Sequence, residues 1–315
     1  MKIGIIGSGA LGLYYGAMLQ RSGQDIHFLL RRDYQAIQKT GLQVHSCNGD
    51  FRLPQISGYQ TPQEIGIVDL VIVGLKTISN HHLIKLIKPL LGAKTAILTL
   101  QNGLGNEELL AAAFGSERVL GGVAFLCSNR GTPGTVRHLG EGKIRLGEFG
   151  EGSSQRSHNL AEMFKNAGVP CDAVSDLRRA RWEKLVWNIP FNGLSALMGK
   201  DVTDILNHPL SKELVKELMF EVISGANAQP LEKPISGPEF SQRLISLTEN
   251  MDHYQPSMMI DRAEGRPLEL EAIYAIPLQQ AQAIGVKMPQ VKMLYSLLDH
   301  GEKVLNTLHN RTLLQ

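Results

Sequence analysis

Lys184, Asn188 and Asn192 recur at four-residue intervals within Arg181-Trp182-Glu183-Lys184-Leu185-Val186-Trp187-Asn188-Ile189-Pro190-Phe191-Asn192. This spacing puts an ammonium and two amides on one face of a helix. The combination suits reduction of a carbonyl, because hydride attack builds an alkoxide that a lysine ammonium stabilises and protonates while amides orient the substrate oxygens. Pro190 removes one helical hydrogen bond, so a kink is expected that either aims the polar stripe or accommodates packing. The segment alone leaves a second reading open, a solvated helix face that happens to carry Lys and Asn.

A second set of residues bears on the hydride source. Lys2-Ile3-Gly4-Ile5-Ile6 is an apolar strand that runs directly into Gly7-Ser8-Gly9-Ala10-Leu11-Gly12, and an apolar helical pattern continues from Ala10 to Leu19. Strand, G-x-G-x-x-G and helix in this order mark a dinucleotide phosphate site. Gly7 permits the sharp turn, Gly9 leaves room for a pyrophosphate against the backbone, and Gly12 lets the helix pack closely on the sheet. The helix N-terminus then presents unpaired N–H groups to the anion. At the end of the next strand, Asp25 to Leu30, NAD-selective sites usually carry an acidic residue, but here the chain has Arg31-Arg32. Guanidinium groups match a 2′-phosphate bidentately, which favours NADP over NAD. Solvated surface charge, partly neutralised by Asp33, is the alternative.

The elements that must carry these residues alternate along the first half of the chain. Further strands are read at Asp69–Val73, Ala96–Leu100 and Val119–Val123, with helical stretches near Ser79–Leu90 and Asn106–Phe114. This predicts an α/β, Rossmann-type doubly wound sheet, whose ligand crevice lies outside the carboxyl ends of the strands. Lys76 and Asn102 follow two such ends, in Gly74-Leu75-Lys76-Thr77 and Gln101-Asn102-Gly103-Leu104-Gly105. Lys76 is placed to reach a cofactor phosphate, and Asn102 to hydrogen-bond a ribose, nicotinamide or substrate; ordinary loop roles stay open for both. Thr135–Leu146 reads as two short strands around a Gly140-Glu141-Gly142 turn, an antiparallel addition at the sheet edge. After Asp172 helical periodicity dominates, with a Pro- and Gly-containing loop near residues 229–238. The expected organisation is a dinucleotide-binding domain over residues 1–174 and an all-helical domain over 175–315.

Composition agrees with this plan. A chain of 315 residues with net charge +2 has material for two cores and no Lys/Arg-rich run that would mark a nucleic-acid partner. No apolar stretch reaches membrane-spanning length, and the first strand begins at Lys2, so a cytoplasmic protein is expected. Cys47, Cys127 and Cys171 lack metal-like spacing and read as free thiols, while His27, His81, His82 and His253 show no ligand pattern, so no metal site is expected.

Together, Gly7-Ser8-Gly9-Ala10-Leu11-Gly12, Gln101-Asn102-Gly103, the Lys184, Asn188, Asn192 stripe, and Ser257 followed twelve residues later by Glu269 resemble the ketopantoate reductase family over nearly the whole chain. The resemblance implies NADPH-dependent reduction of a small 2-keto acid, ketopantoate (2-dehydropantoate), to D-pantoate on the route to pantothenate. It implies Lys184 as general acid and Glu269 as its acidic partner, with Asn188, Asn192 and Ser257 holding substrate. Asn102 would sit between cofactor and substrate, and Arg31 and Lys76 would meet the 2′-phosphate or phosphates of NADPH. The chain departs from the family where an Asn is common three residues before the serine, because Tyr254 stands there, which puts the identity of the keto acid in doubt. From the residues alone, Ser257 could instead cap a helix beginning near Met258, and Glu269 could favour a helix N-terminus. Another branched 2-keto acid, or NADPH sensing without turnover, are the rival readings. A helical second domain commonly supplies dimer surfaces in this broad group of dehydrogenases, which makes a homodimer one reading, yet relatives by resemblance include monomers and dimers and the sequence leaves the oligomeric state open.

Overall fold

The computed structural model describes residues 1–150 and 152–312. It divides into two compact units. The first comprises Met1–Asn102 and Asn106–Leu177; the second takes Gly103–Gly105 and the chain from Arg178 on.

The first unit is built on β1 (Lys2–Ile6), α1 (Ala10–Arg21), β2 (Asp25–Leu29), α2 (Tyr34–Thr40), β3 (Leu42–Ser46), β4 (Phe51–Leu53), β5 (Ser57–Tyr59) and α3 (Pro62–Ile65). It continues through β6 (Val68–Val73), α4 (Asn80–Ile87), β7 (Leu91–Thr99), α5 (Asn106–Phe114), β8 (Val119–Arg130), β9 (Thr135–Glu148), α6 (Gln155–Asn166) and β10 (Cys171–Ala173). Among the described residues these strands form one sheet in the order β4-β3-β9-β8-β7-β6-β1-β2-β5, with β10 also paired to β9. The run from β5 to β8 is parallel throughout. Strand alternation explains why both faces are covered. Ile3, Ile5, Leu70 and Ile72 point to the layer containing α1 and α6, while Ile6, Val71, Val73 and Ile97 point to the layer containing α4 and α5. This is the expected Rossmann-type sheet, extended on one side.

That extension corrects one expectation. Thr135–Leu146 is not a pair of short edge strands around a turn. It lies within the single long strand β9, which pairs antiparallel with β8 and parallel with β3, so it is interior to the sheet. Glu141 and Gly142 do take positive φ, 63° and 123°. They use it for a bulge, because Phe125 pairs with Lys143 and Leu126 with Glu141, leaving Gly142 as the extra residue. A bulge and a tight turn need the same left-handed backbone, so glycine marks both.

The second unit is helical, with α7 (Leu177–Met198), α8 (Val202–Asn207), α9 (Pro209–Asn227), α10 (Gly237–Glu249), α11 (Ser257–Ala263), a π-helical turn at Glu271–Ala275, α12 (Ile276–Ala283) and α13 (Pro289–Thr312). Its core joins Trp182, Leu185, Ile189 and Phe191 of α7 to Leu218 and Val222 of α9, Ile245 of α10 and Leu294 of α13. α7 runs through Pro190, and the buried Tyr274 hydroxyl donates to the Ile189 carbonyl at 2.8 Å. Gly193 makes room for that phenol, since a Cβ there would lie 2.5 Å from its oxygen. Burial pushes the Tyr274 phenol far above the usual tyrosine range. Among the described residues no helix is long and apolar enough to cross a membrane.

A methyl group at Gly12 would overlap the carbonyl oxygen of Gly7, which is backbone and cannot yield. Gly12→Ala is therefore expected to cost about 2 kcal/mol or more. Thermal unfolding should show a Tm lower by roughly 4–8 °C; an unchanged Tm would show that the helix and the turn are not locked together.

Candidate active site

The first half of the site is the glycine turn between β1 and α1. β1 and β6 are neighbours whose connections run to opposite sides of the sheet, so their carboxyl ends flank the topological switch point. There the Gly74 N–H donates to Ile6 O at 2.8 Å, and Gly7, with φ 100°, passes so close to Gly74 and Leu75 that a side chain would strike their backbone. Gly9 differs, because a Cβ there would meet no described atom within 4 Å. Gly9 is also the N-cap of α1 and supplies no side-chain cap, so the first N–H groups of α1 face this clear side. Ala10 and Leu11 open the helix, half-buried against the sheet. The Ser8 hydroxyl points back and donates to Leu29 O at 2.8 Å, tying the turn to the end of β2.

That tie places the arginines. Arg31 is exposed just beyond β2, while Arg32 is spent on the backbone, donating to Gly131 O at 2.9 Å. Asp33 does not neutralise either one. It is buried, and it accepts from the Arg130 guanidinium and from Gly134 N–H at 3.1 Å. Arg31 is thus the guanidinium left facing solvent beside the turn. Lys76 is half-buried after β6, at the cap of a single 3₁₀ turn.

Asn102 ends a chain of amides that sequence reasoning missed. Thr99 Oγ1 donates to Gln101 Oε1 at 3.0 Å, Gln101 Nε2 to Asn80 Oδ1 at 2.7 Å, Asn80 Nδ2 to Asn106 Oδ1 at 3.0 Å, and Asn106 Nδ2 to Asn102 O at 2.9 Å. The chain ties the loop after β7 to the first residues of α4 and α5. Nothing in the spacing of Asn80 and Asn106 announces the link.

The second unit carries the Lys-Asn-Asn stripe. Lys184 is half-buried, and Asn188 and Asn192 are 4% and 2% exposed. These residues do not form a solvated face. Asn192 Oδ1 accepts Met258 N–H at 3.2 Å and the Ser257 hydroxyl at 3.4 Å, so the amide of α7 caps α11. Ser257 itself does not cap that helix, whose N-cap is Pro256. No hydrogen bond to another described residue engages the Asn188 side-chain amide. Glu269 is buried directly before the helical turn that opens at Leu270, and its carbonyl accepts Ile273 N–H at 3.2 Å. Tyr254 packs on Trp187, with centroids 6.1 Å apart, and Trp187 in turn packs on Phe191 at 5.0 Å. It is an aromatic wall residue rather than an amide.

Tyr254 and Ser257 follow a turn pinned by charge. His253 has φ 47°, its N–H donates to Thr203 Oγ1 at 3.0 Å, and its ring lies 2.7 Å from Asp201 Oδ2. Hydrogen bonding to Asp201 raises the His253 pKa, aided by the carboxylates of Asp201, Asp252 and Asp204. Burial acts to raise the Asp201 carboxyl, but the Asp204 N–H and His253 outweigh it and hold it below its ordinary range.

A glycine turn at the switch point of a parallel sheet, continued in one chain by a helical unit bearing buried amides, puts the molecule in the Rossmann-type class with a helical second domain. Residues 3–151 match the family model described as Ketopantoate reductase PanE/ApbA, and residues 176–302 its C-terminal counterpart. A 2-dehydropantoate 2-reductase from Nostoc sp. is 42% identical over 302 residues, 94% of each chain. Among solved structures, a 2-dehydropantoate 2-reductase from Geobacter metallireducens is 57% identical with TM-score 0.94, covering 96% of this chain and 100% of that one. One from Methylococcus capsulatus is 29% identical with TM-score 0.87, covering 97% and 98%. The chain belongs to the ketopantoate reductase family.

The raised His253 pKa adds stability that is fully present below the ordinary histidine value and lost as pH rises through the raised one. The lowered Asp201 pKa adds stability that is present above the ordinary carboxylate value and lost as pH falls through the lowered one. Urea midpoints should therefore decline as pH rises above the ordinary histidine value of about 6.5 in the parent protein and stay flatter in Asp201→Asn; equal slopes would show that the pair contributes nothing.

Proposed function

We propose that this protein reduces 2-dehydropantoate to D-pantoate with NADPH, the step that supplies pantoate for pantothenate. Its relatives bear the name of that reaction. The observation that carries the chemistry is Asn188, a residue 4% exposed whose amide makes no hydrogen bond to another described residue, set one helical turn from Lys184 and one from Asn192. An amide carries both donors and an acceptor, so it can meet a bound carbonyl or carboxylate directly.

The residues of the glycine turn fit a dinucleotide. The clear side of Gly9 and the uncapped N–H groups of α1 suit a pyrophosphate, with Gly7, Ser8, Ala10, Leu11 and Gly12 shaping the turn. The exposed Arg31 guanidinium suits a 2′-phosphate, Lys76 suits a phosphate, and Asn102 suits the nicotinamide end. NADPH when bound supplies the hydride that adds to the keto carbon. Lys184 holds an ammonium toward the carbonyl oxygen, steadies the charge that builds there and gives it a proton, leaving a 2-hydroxy acid and a neutral amine that solvent reprotonates. Glu269 serves as the acidic partner of Lys184. Asn188, the Nδ2 of Asn192 and the Ser257 hydroxyl orient the substrate. A second reading, a different branched 2-keto acid, is favoured by Tyr254, which adds an aromatic ring where the family often has an amide.

NADPH oxidation followed by absorbance, with ketopantoate beside a panel of branched 2-keto acids and NADH as control, decides between the two. Ketopantoate should be the fastest substrate; faster turnover of another acid would transfer the assignment to it. Lys184→Ala should lower kcat by roughly 10²–10⁴-fold while leaving NADPH affinity unchanged in a fluorescence titration. Unchanged kcat would refute the proton-donor role. Arg31→Ala should weaken NADPH about tenfold or more with NADH unaffected, and equal effects on both would refute the 2′-phosphate contact.

A further inference from the structure

We propose that Glu302 is a positioning residue that acts through Glu269; the inference rests on the role given to Glu269 above. Between the end of α11 at Ala263 and the helical turn at Leu270, the N–H groups of Glu264 and Gly265 close back on α11. Pro267 has no N–H, and the Arg266 N–H is taken locally by Asp261 O at 2.8 Å. The Leu268 N–H, one residue before Glu269, reaches across to α13 instead and donates to Glu302 Oε2 at 3.1 Å. The other oxygen of the same carboxylate lies 3.4 Å from Arg262 Nη1 of α11. Gly301 supports the arrangement, since its missing side chain lets the Arg262 guanidinium lie alongside; a Cβ there would sit 3.1 Å from Nη1.

One carboxylate therefore joins α11, the connecting strand of chain and α13 at the residue preceding Glu269. Leu268 and Glu269 are both buried, at 4% and 3% exposure, and consecutive Cα atoms are about 3.8 Å apart, so fixing the Leu268 N–H leaves the Glu269 backbone little freedom. A carboxylate accepting a backbone N–H makes a charge-assisted and directional bond, stronger than a neutral one. Misplacing a reacting group by about 1 Å costs on the order of a hundredfold in rate, so this tether bears on kcat although Glu302 touches no reacting atom.

The test separates a tether from an ion pair. Gln at 302 keeps an oxygen for the Leu268 N–H but loses the charge facing Arg262. Asp keeps the charge but is one methylene too short to reach. With ketopantoate and NADPH, Glu302→Gln should stay within about threefold of the parent kcat and Glu302→Asp should fall about tenfold or more, with the KM for NADPH unchanged in both. In a Glu269→Gln background, the Asp substitution should cause no further loss. If Asp outperforms Gln, if Gln alone loses tenfold, or if Asp slows both backgrounds equally, the positioning role is overturned while that of Glu269 stands. If Glu269→Gln itself keeps full turnover, the role of Glu269 falls, and this inference with it.

Discussion

Three backbone segments meet at Gly7 with no room for a side chain among them. The turn leaves β1, brushes Gly74 and Leu75 at the end of β6, and lays its own carbonyl beneath Gly12 of α1. Close-packed backbone has no rotamers to adjust, so this junction fixes the angle at which α1 leaves the sheet and the direction in which its first N–H groups point. The position of Arg31 follows from the same junction, because Ser8 clips the turn to Leu29 two residues earlier. The geometry of this turn is thus a property of the sheet, with side chains added at its rim.

The helical unit solves a different problem, holding polar groups inside an apolar core. Asn192 is satisfied on one side by capping α11, which leaves its other side available and locks the helix that begins with Ser257 to the stripe on α7. Tyr274 disposes of the Ile189 carbonyl near Pro190, and Thr248 takes the Trp187 indole N–H at 2.9 Å. The amide of Asn188, one helical turn from Asn192, makes no hydrogen bond to another described residue, while the buried Trp182 indole N–H and Ser195 hydroxyl are also without a described partner.

Much of this was readable in the chain because it is local. The strand, glycine turn and first helix lie within the opening residues, and the stripe on α7 is a matter of four-residue spacing. Contacts between distant residues left no trace. Asp33 sits beside two arginines in sequence yet bonds one 97 residues away, and Ser257 meets Asn192 across 65 positions. The short strands β3, β4, β5 and β10 leave no pattern in the sequence, because three to five residues of mixed character give too little alternation to register. The bulge in β9 reads as a turn in the sequence because both call for glycine in a positive-φ backbone. Glu302 lay beyond reach altogether, since its partner is a main-chain N–H that has no identity in sequence.

Pro277 has no N–H for the carbonyl five residues before it, and in the π-helical turn that carbonyl belongs to Ala272. It is Leu104 N–H, at 2.9 Å, that fills the gap, with Gly103 pressed against Ala272 so closely that a side chain would collide. Gly103–Gly105 is accordingly a fragment of the helical unit lodged inside the sequence of the other. The protein is therefore not modular in the way its gene order suggests. A truncation beginning at Arg178 would lack the peptide that completes its own helix, and one ending at Leu177 would carry that peptide with nothing to receive it. Swapping either half between relatives would need the tripeptide to travel with the helices, so the two halves are bound to diverge together.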